Sequence, residues 1–134
     1  MNWVIDTSAL IRLYIPDGPL HAQVEVALNR AANGVDTVWA PQLLLAEVAN
    51  VLLRKQQRGE ISAEEREELL TLMMALPIRY AKHEALILPA SIMAERHGLT
   101  VYDALFVALA ERYGARLMSC DLALEKVALQ LGLG

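Results

Sequence analysis

The sequence predicts an α/β fold, a small parallel sheet wrapped by helices, and three observations carry that reading. Short β-branched apolar runs alternate along the chain with longer runs of helical spacing, the pattern of strands joined by crossover helices. At 134 residues and 55% hydrophobic, the chain is long enough for one domain with a real core and too short for two. Residues 1–134 are therefore expected to form a single domain. Helix-starting and helix-stopping residues also fall between the apolar runs, with no repeat, low-complexity segment or interior linker among them.

Each element follows from local chemistry. Trp3 to Asp6 reads as the first strand, followed by a helix through Tyr14. Pro16-Asp17-Gly18-Pro19 is a turn, and Leu20 to Ala32 an amphipathic helix closed by Asn33-Gly34. Thr37 to Ala40 is a second strand. Pro41, at a first helical position, opens a long helix ended by Gly59, and Ser62-Ala63-Glu64-Glu65 is a capping box that starts the next, through Ala75. These two helices should form a hairpin. Ile78 to Ala81 is a third strand; Glu84 to His97 and Val101 to Tyr113 are helices stopped by Gly98 and Gly114. Arg116 to Ser119 is the last strand, and Leu122 to Leu131 the closing helix.

Composition narrows the function. Twelve Lys and Arg against sixteen Asp and Glu give a net charge of −4, which argues against nucleic-acid affinity from bulk charge. Any RNA or DNA contact must use a local patch. A mean hydropathy of +0.32 excludes disorder and leaves surplus apolar surface. The helix from Glu84 to His97, with Leu86, Ile87, Leu88, Ile92 and Met93, carries more aliphatic surface than a thin sheet can cover, so a homodimer is expected. Cys120 is the single cysteine and makes no internal disulfide, so a cytoplasmic setting is the default. The N-terminal residues lack the basic start of a signal peptide, and the most apolar windows run only about ten residues, short of a membrane span.

The chemistry lies in the acids. Asp6 and Asp121 each follow a strand and precede a helix, and Asp103 sits three residues after Thr100; all three have a structural excuse as helix caps or first-turn acids. Glu47 has none, because it lies mid-helix. Projected at a helical period, Glu47, Asn50, Arg54 and Gln57 share one narrow polar stripe that faces either water or a cleft. Open parallel sheets place their sites beyond the carboxyl ends of strands, where Asp6 and Asp121 stand. Two carboxylates about 5 Å apart repel by about 3 kcal/mol at an effective dielectric of 20, so a cluster of such acids needs a cation. Oxygen ligands without a Cys/His set select Mg²⁺ or Mn²⁺, and Mg²⁺ favours phosphate-bearing substrates. Hydrolysis of a phosphodiester by a metal-activated water is the reaction class implied.

Val4-Ile5-Asp6-Thr7-Ser8-Ala9-Leu10, Glu47-Val48-Ala49-Asn50, Tyr102-Asp103-Ala104-Leu105 and Ser119-Cys120-Asp121 together resemble the successive motifs of the PIN-domain family, and most of all its VapC-type toxins. The likeness spans essentially the whole chain. It implies a PIN-like three-layer α/β/α fold and Mg²⁺- or Mn²⁺-dependent cleavage of RNA, in a homodimer restrained by a cognate antitoxin protein. Carried over by motif, Asp6, Glu47, Asp103 and Asp121 are the catalytic and metal-binding acids, with Ser8, Asn50 and Ser119 beside them. Ser119 stands where a threonine is frequent and keeps the hydroxyl.

Other features weigh less. Arg12, one turn beyond Ser8, is a candidate phosphate contact. Arg54, Lys55 and Arg58 read as a basic helix end complementing the dipole. Glu64, Glu65, Glu67 and Glu68 read as a solvated face, Cys120 as a small buried side chain, and His21, His83 and His97 share no ligand spacing. Two other functions compete. One is a PIN-like protein-interaction module whose acids merely cap helices; the other is an aspartate-dependent phosphotransfer domain, which fits poorly because Ser8 stands where a second acid is wanted.

Overall fold

The computed structural model describes residues 1–134. Its elements are β1 (Asn2–Ile5), α1 (Thr7–Tyr14), α2 (Val24–Ala32), β2 (Thr37–Pro41), α3 (Leu43–Gln57), α4 (Ala63–Met74), β3 (Ile78–Ala81), α5 (Glu84–His97), α6 (Val101–Tyr113), β4 (Arg116–Met118) and α7 (Leu122–Gln130). The strands form one parallel sheet in the order β3-β2-β1-β4. From β1 the chain steps to β2 and β3 on one side, then crosses to place β4 on the other. β1 and β4 therefore flank the switch point, where an open parallel sheet leaves a crevice at its carboxyl edge.

Side-chain alternation assigns the layers. Trp3 points to the face where its Nε1 donates to Asp36 Oδ2, and Asp36 also takes Arg30 of α2. Val4 pairs in register with Trp39, whose ring stacks on Tyr113 of α6 with centroids 4.3 Å apart. Neighbouring strand residues face opposite ways, so α2 and α6 lie on opposite faces: the expected α/β/α arrangement. α6 is buried without interruption from Ala104 to Ala110, as a helix must be that is apolar on every side. It rests on β1, β2 and β4 and is backed by α5. One cluster of 33 buried residues joins all these elements. No helix is long and apolar enough to cross a membrane.

The expected elements all form, with four informative differences. The second helix begins at Val24 rather than Leu20, because residues 15–23 run as an irregular segment in which His21 Nδ1 accepts the Gln23 N–H. Pro41 ends β2 instead of opening a helix. It pairs with Ala81 of β3, beyond the last β1–β2 pair at Val4 and Trp39, so its missing N–H breaks no ladder on the β1 side. Asp6 and Ser119, expected inside the first and last strands, stand just outside β1 and β4. Lys55, read as part of a basic helix end complementing the dipole, is in addition buried: its side chain is only 9% exposed and its ammonium contacts Asp17. The capping box at Ser62 and Glu65 is present as expected.

Asp36, to which the sequence drew no attention, ties the amino terminus to α2. Its side chain is 2% exposed and accepts from the Met1 ammonium, Trp3 Nε1 and Arg30 Nε. Hydrogen bonds from Arg30 and then Trp3 hold its carboxyl down to about 2 from an ordinary 3.8. A folded-state value below the unfolded one means that Asp36 stabilises the fold above the unfolded value, and that this is lost as pH falls through the folded value. Asp36→Asn is thus expected to lower the melting temperature at neutral pH, with the gap to wild type closing between about pH 4 and about pH 2. Thermal melts across that range check it; a constant gap would sink the assignment.

Candidate active site

Asp6 is built into the switch point by its own sequence triplet. As N-cap of α1 its Oδ1 accepts the Ala9 N–H at 2.9 Å, and the Ser8 hydroxyl donates to the same oxygen at 2.7 Å. From β4 the Ser119 hydroxyl donates to Oδ2. Those two serines also receive backbone donors, Cys120 N–H to Ser8 Oγ at 2.9 Å and Asp121 N–H to Ser119 Oγ at 3.0 Å. Asp6 is 3% exposed. Burial raises its carboxyl above 3.8, against the pull of the two serines and the Ala9 amide, and the Asp121 charge adds to the rise. A buried carboxylate so fully hydrogen-bonded is held in one orientation.

Glu47 approaches from α3. Thr7, the residue between Asp6 and Ser8, donates its hydroxyl to Glu47 Oε1 at 2.7 Å. This contact is the clearest one the sequence did not disclose, since a threonine at a helix start normally looks like a cap; the signal was its place inside the Asp-Thr-Ser triplet. Partial burial, then the Asp103 charge, raise the Glu47 carboxyl. Asp103 enters from the first turn of α6. The expected place of Asp103 in the first turn is present, with Thr100 as the N-cap whose side chain accepts the Asp103 N–H, and this leaves the Asp103 carboxylate itself outside the cap. Partial burial and the Asp121 charge raise the Asp103 carboxyl. Asp121 does cap α7, accepting from the N–H groups of Ala123 and Leu124. It nevertheless reaches the same space, so for Asp121, as for Asp6, capping and membership of the acidic group are compatible.

All four acids line one cavity of about 330 Å³ at the carboxyl edge of the sheet, together with Thr7, Ser8, Arg12 and Asp17 over a floor that includes Phe106 and Val51. The polar stripe on α3 divides there. Glu47 and Val51 face the cavity, whereas Asn50, Arg54 and Gln57 are exposed outside it. Ser119 is buried behind Asp6 rather than lining the space. Arg12 does line it, with Nη1 donating to the Pro19 carbonyl at 3.1 Å. His83 lies away from the acids, yet its Nε2 accepts the Leu43 N–H at 2.9 Å and so closes the start of the helix that carries Glu47. Cys120 is half-buried, and burial pushes its thiol up.

A parallel α/β/α fold with an acidic cavity at its switch point defines a class, and the sequence comparison identifies it: a family model described as "PIN domain" matches residues 3–129, and the chain belongs to that family. Within it, the chain is 33% identical over 125 residues to Ribonuclease VapC3 of Pyrobaculum aerophilum, covering 90% of each chain. Among solved structures it resembles PAE2754 from Pyrobaculum aerophilum, with a TM-score of 0.68 and 20% identity over 100% of this chain and 97% of that one. It also resembles VapC20 of Mycobacterium tuberculosis, described as a sarcin-ricin loop cleaving toxin, with a TM-score of 0.64 and 16% identity over 95% of each chain.

The charge of the cavity is testable without a substrate. An acid whose folded-state carboxyl lies above its unfolded value costs stability at neutral pH, and that cost fades as pH falls to the unfolded value. Asp103→Asn is expected to stabilise the protein in EDTA at about pH 7 by up to about 1 kcal/mol, once solvent screening of a half-exposed group is allowed for. The gain should shrink toward pH 4. A melt in which the variant is less stable than wild type would return Asp103 to a purely helical role.

Proposed function

We propose that this chain, as one domain over residues 1–134, is a divalent-metal-dependent endoribonuclease and the toxin of a type II toxin–antitoxin pair. The observation that supports this most is the meeting of Asp6, Glu47, Asp103 and Asp121, from four separate segments, around one cavity. Kinship with Ribonuclease VapC3 supports RNA as substrate and a cognate antitoxin as partner. RNA as substrate and a lone cysteine fit a cytoplasmic location.

The donor set suits a hard cation. Carboxylate and hydroxyl oxygens line the cavity, with no thiolate or imidazole among them. No three of the acids stand close enough to enclose an ion by themselves, and Mg²⁺ usually keeps several waters where only one or two carboxylates bind it. Asp6, Glu47, Asp103 and Asp121 are the residues we assign to hold Mg²⁺ or Mn²⁺. Such an ion, when bound, lowers the pKa of a coordinated water and offsets charge on the phosphate. The protein's own part is to orient and to exclude. Ser8 and Ser119 fix the Asp6 carboxylate, Thr7 fixes Glu47, and Arg12 presents a cation on the cavity wall that suits a phosphate.

RNA cleavage by protein freed of antitoxin should require Mg²⁺ or Mn²⁺ and stop with EDTA. Asp103→Asn and Asp6→Ala should each lower kcat/KM by at least about 100-fold. Saturating Mg²⁺ should reverse the order of the melts in EDTA, because wild type gains binding free energy that Asp103→Asn largely lacks. Protein that binds a partner protein but cleaves no RNA with any divalent ion would establish the interaction module instead.

The homodimer is assigned to α5. Leu86 and Met93 belong to the core, but Ile87, Leu88 and Ile92 are exposed, Leu88 by 70%, on one side of the helix. Apolar side chains grouped in this way mark an association surface. Light scattering at micromolar concentration should give a dimer, and Leu88→Glu a monomer; a monomeric wild type would refute it.

A further inference from the structure

Lysine is almost never buried unless its ammonium is paired, and Lys55 is buried on α3, two turns beyond Glu47. Its Nζ donates to Asp17 Oδ2 at 2.7 Å and lies 3.7 Å from Glu60 Oε1. Asp17 belongs to the irregular segment 15–23 and lines the acidic cavity. Glu60 belongs to the turn between α3 and α4. One ammonium thus ties the segment to the helical hairpin.

That tie matters because the segment has little backbone support. Its own bonds are few, Asp17 N–H to Ile15 O and Val24 N–H to His21 O among them. It is held mainly by side chains. Arg12 donates to the Pro19 carbonyl and presses so closely on Gly18 that a Cβ there would stand 2.8 Å from the guanidinium carbon. Cys120 Sγ lies 3.8 Å from the same carbonyl. Without Lys55, Asp17 would lose the donor that holds it on the cavity wall.

We infer that Lys55 is a positioning residue: through Asp17 it holds segment 15–23 as one wall of the acidic cavity, and that wall confines the RNA strand. The substrate role rests on the ribonuclease reading; the clamp itself does not. Cys120, the single cysteine and half-buried beside Pro19, reports the position of the wall directly through its rate of reaction with a thiol reagent.

The test compares Lys55→Met, Lys55→Arg, Asp17→Asn and the double variant Lys55→Met/Asp17→Asn, with Val107→Ala as a buried control in α6. Lys55→Met and Asp17→Asn should each speed thiol labelling under native conditions about tenfold and raise KM for an oligoribonucleotide about tenfold, with kcat within about twofold of wild type. The double variant should be no worse than either single one, since both remove the same tie. Lys55→Arg should keep both readouts near wild type. Val107→Ala should lower the melting temperature without moving either. Labelling unchanged in Lys55→Met, labelling equally fast in Val107→Ala, or a fall in kcat with KM unaltered would each overturn the inference. If wild type cleaves no RNA, the ribonuclease reading and the substrate role fall together, and the labelling rates still decide the clamp.

Discussion

Burying the Asp6 carboxylate at the end of β1 is the constraint on which the rest of the site depends. A charge taken out of water costs several kcal/mol unless its oxygens are satisfied, and here the donors are Ser8 and the Ala9 amide on one side and Ser119 on the other. Meeting that demand fixes the entry of α1 and the end of β4 relative to each other. It also sets Asp121, whose own N–H is held by Ser119, at the mouth of the same crevice. A hydrogen-bond requirement thus becomes a geometry: two strand ends and two helix starts are locked together around one carboxylate.

The acids placed there are electrostatically unfavourable to one another. Burial is the largest cause of the upward shift at Asp6, Glu47 and Asp103, and charge from a neighbouring acid adds to it in every case. A fold selected for stability alone would not assemble them, and local cost of this kind is characteristic of working sites. The rest of the molecule offsets it with an uninterrupted core centred on α6, whose buried run from Ala104 begins immediately after Asp103. Rigid packing at that point holds the acid against repulsion that would otherwise turn it toward solvent.

Helix starts are used twice over. Asp6 and Asp121 cap the helices they precede, while Thr100 caps α6 and leaves the Asp103 carboxylate free. Capping and chemistry are therefore not rival explanations for Asp6 and Asp121: the amides fix the acid, and the acid faces the cavity. The cations are distributed by a related logic. Arg12 and Lys55 are spent holding segment 15–23, so a protein of net charge −4 keeps positive charge beside its acidic cavity without a basic surface.

Strands, helices, their order and the four acids were legible in the sequence because periodicity, capping residues and glycine stops are local signals. Asp6, Glu47, Asp103 and Asp121 stood out against them as polar residues in apolar surroundings, and their motifs carried the family. Tertiary structure alone decided the rest. It turned Glu47 rather than Asn50 into the cavity, made Pro41 a strand end because β1 stops short of it, and buried Lys55 against Asp17, 38 residues away in sequence. It also separated Ile87 and Leu88 from Leu86 by which side of α5 meets α6. A helical period states that a face exists but not what lies opposite it, and pairings such as Thr7 with Glu47 or Ser119 with Asp6 come into being only when the parallel sheet closes.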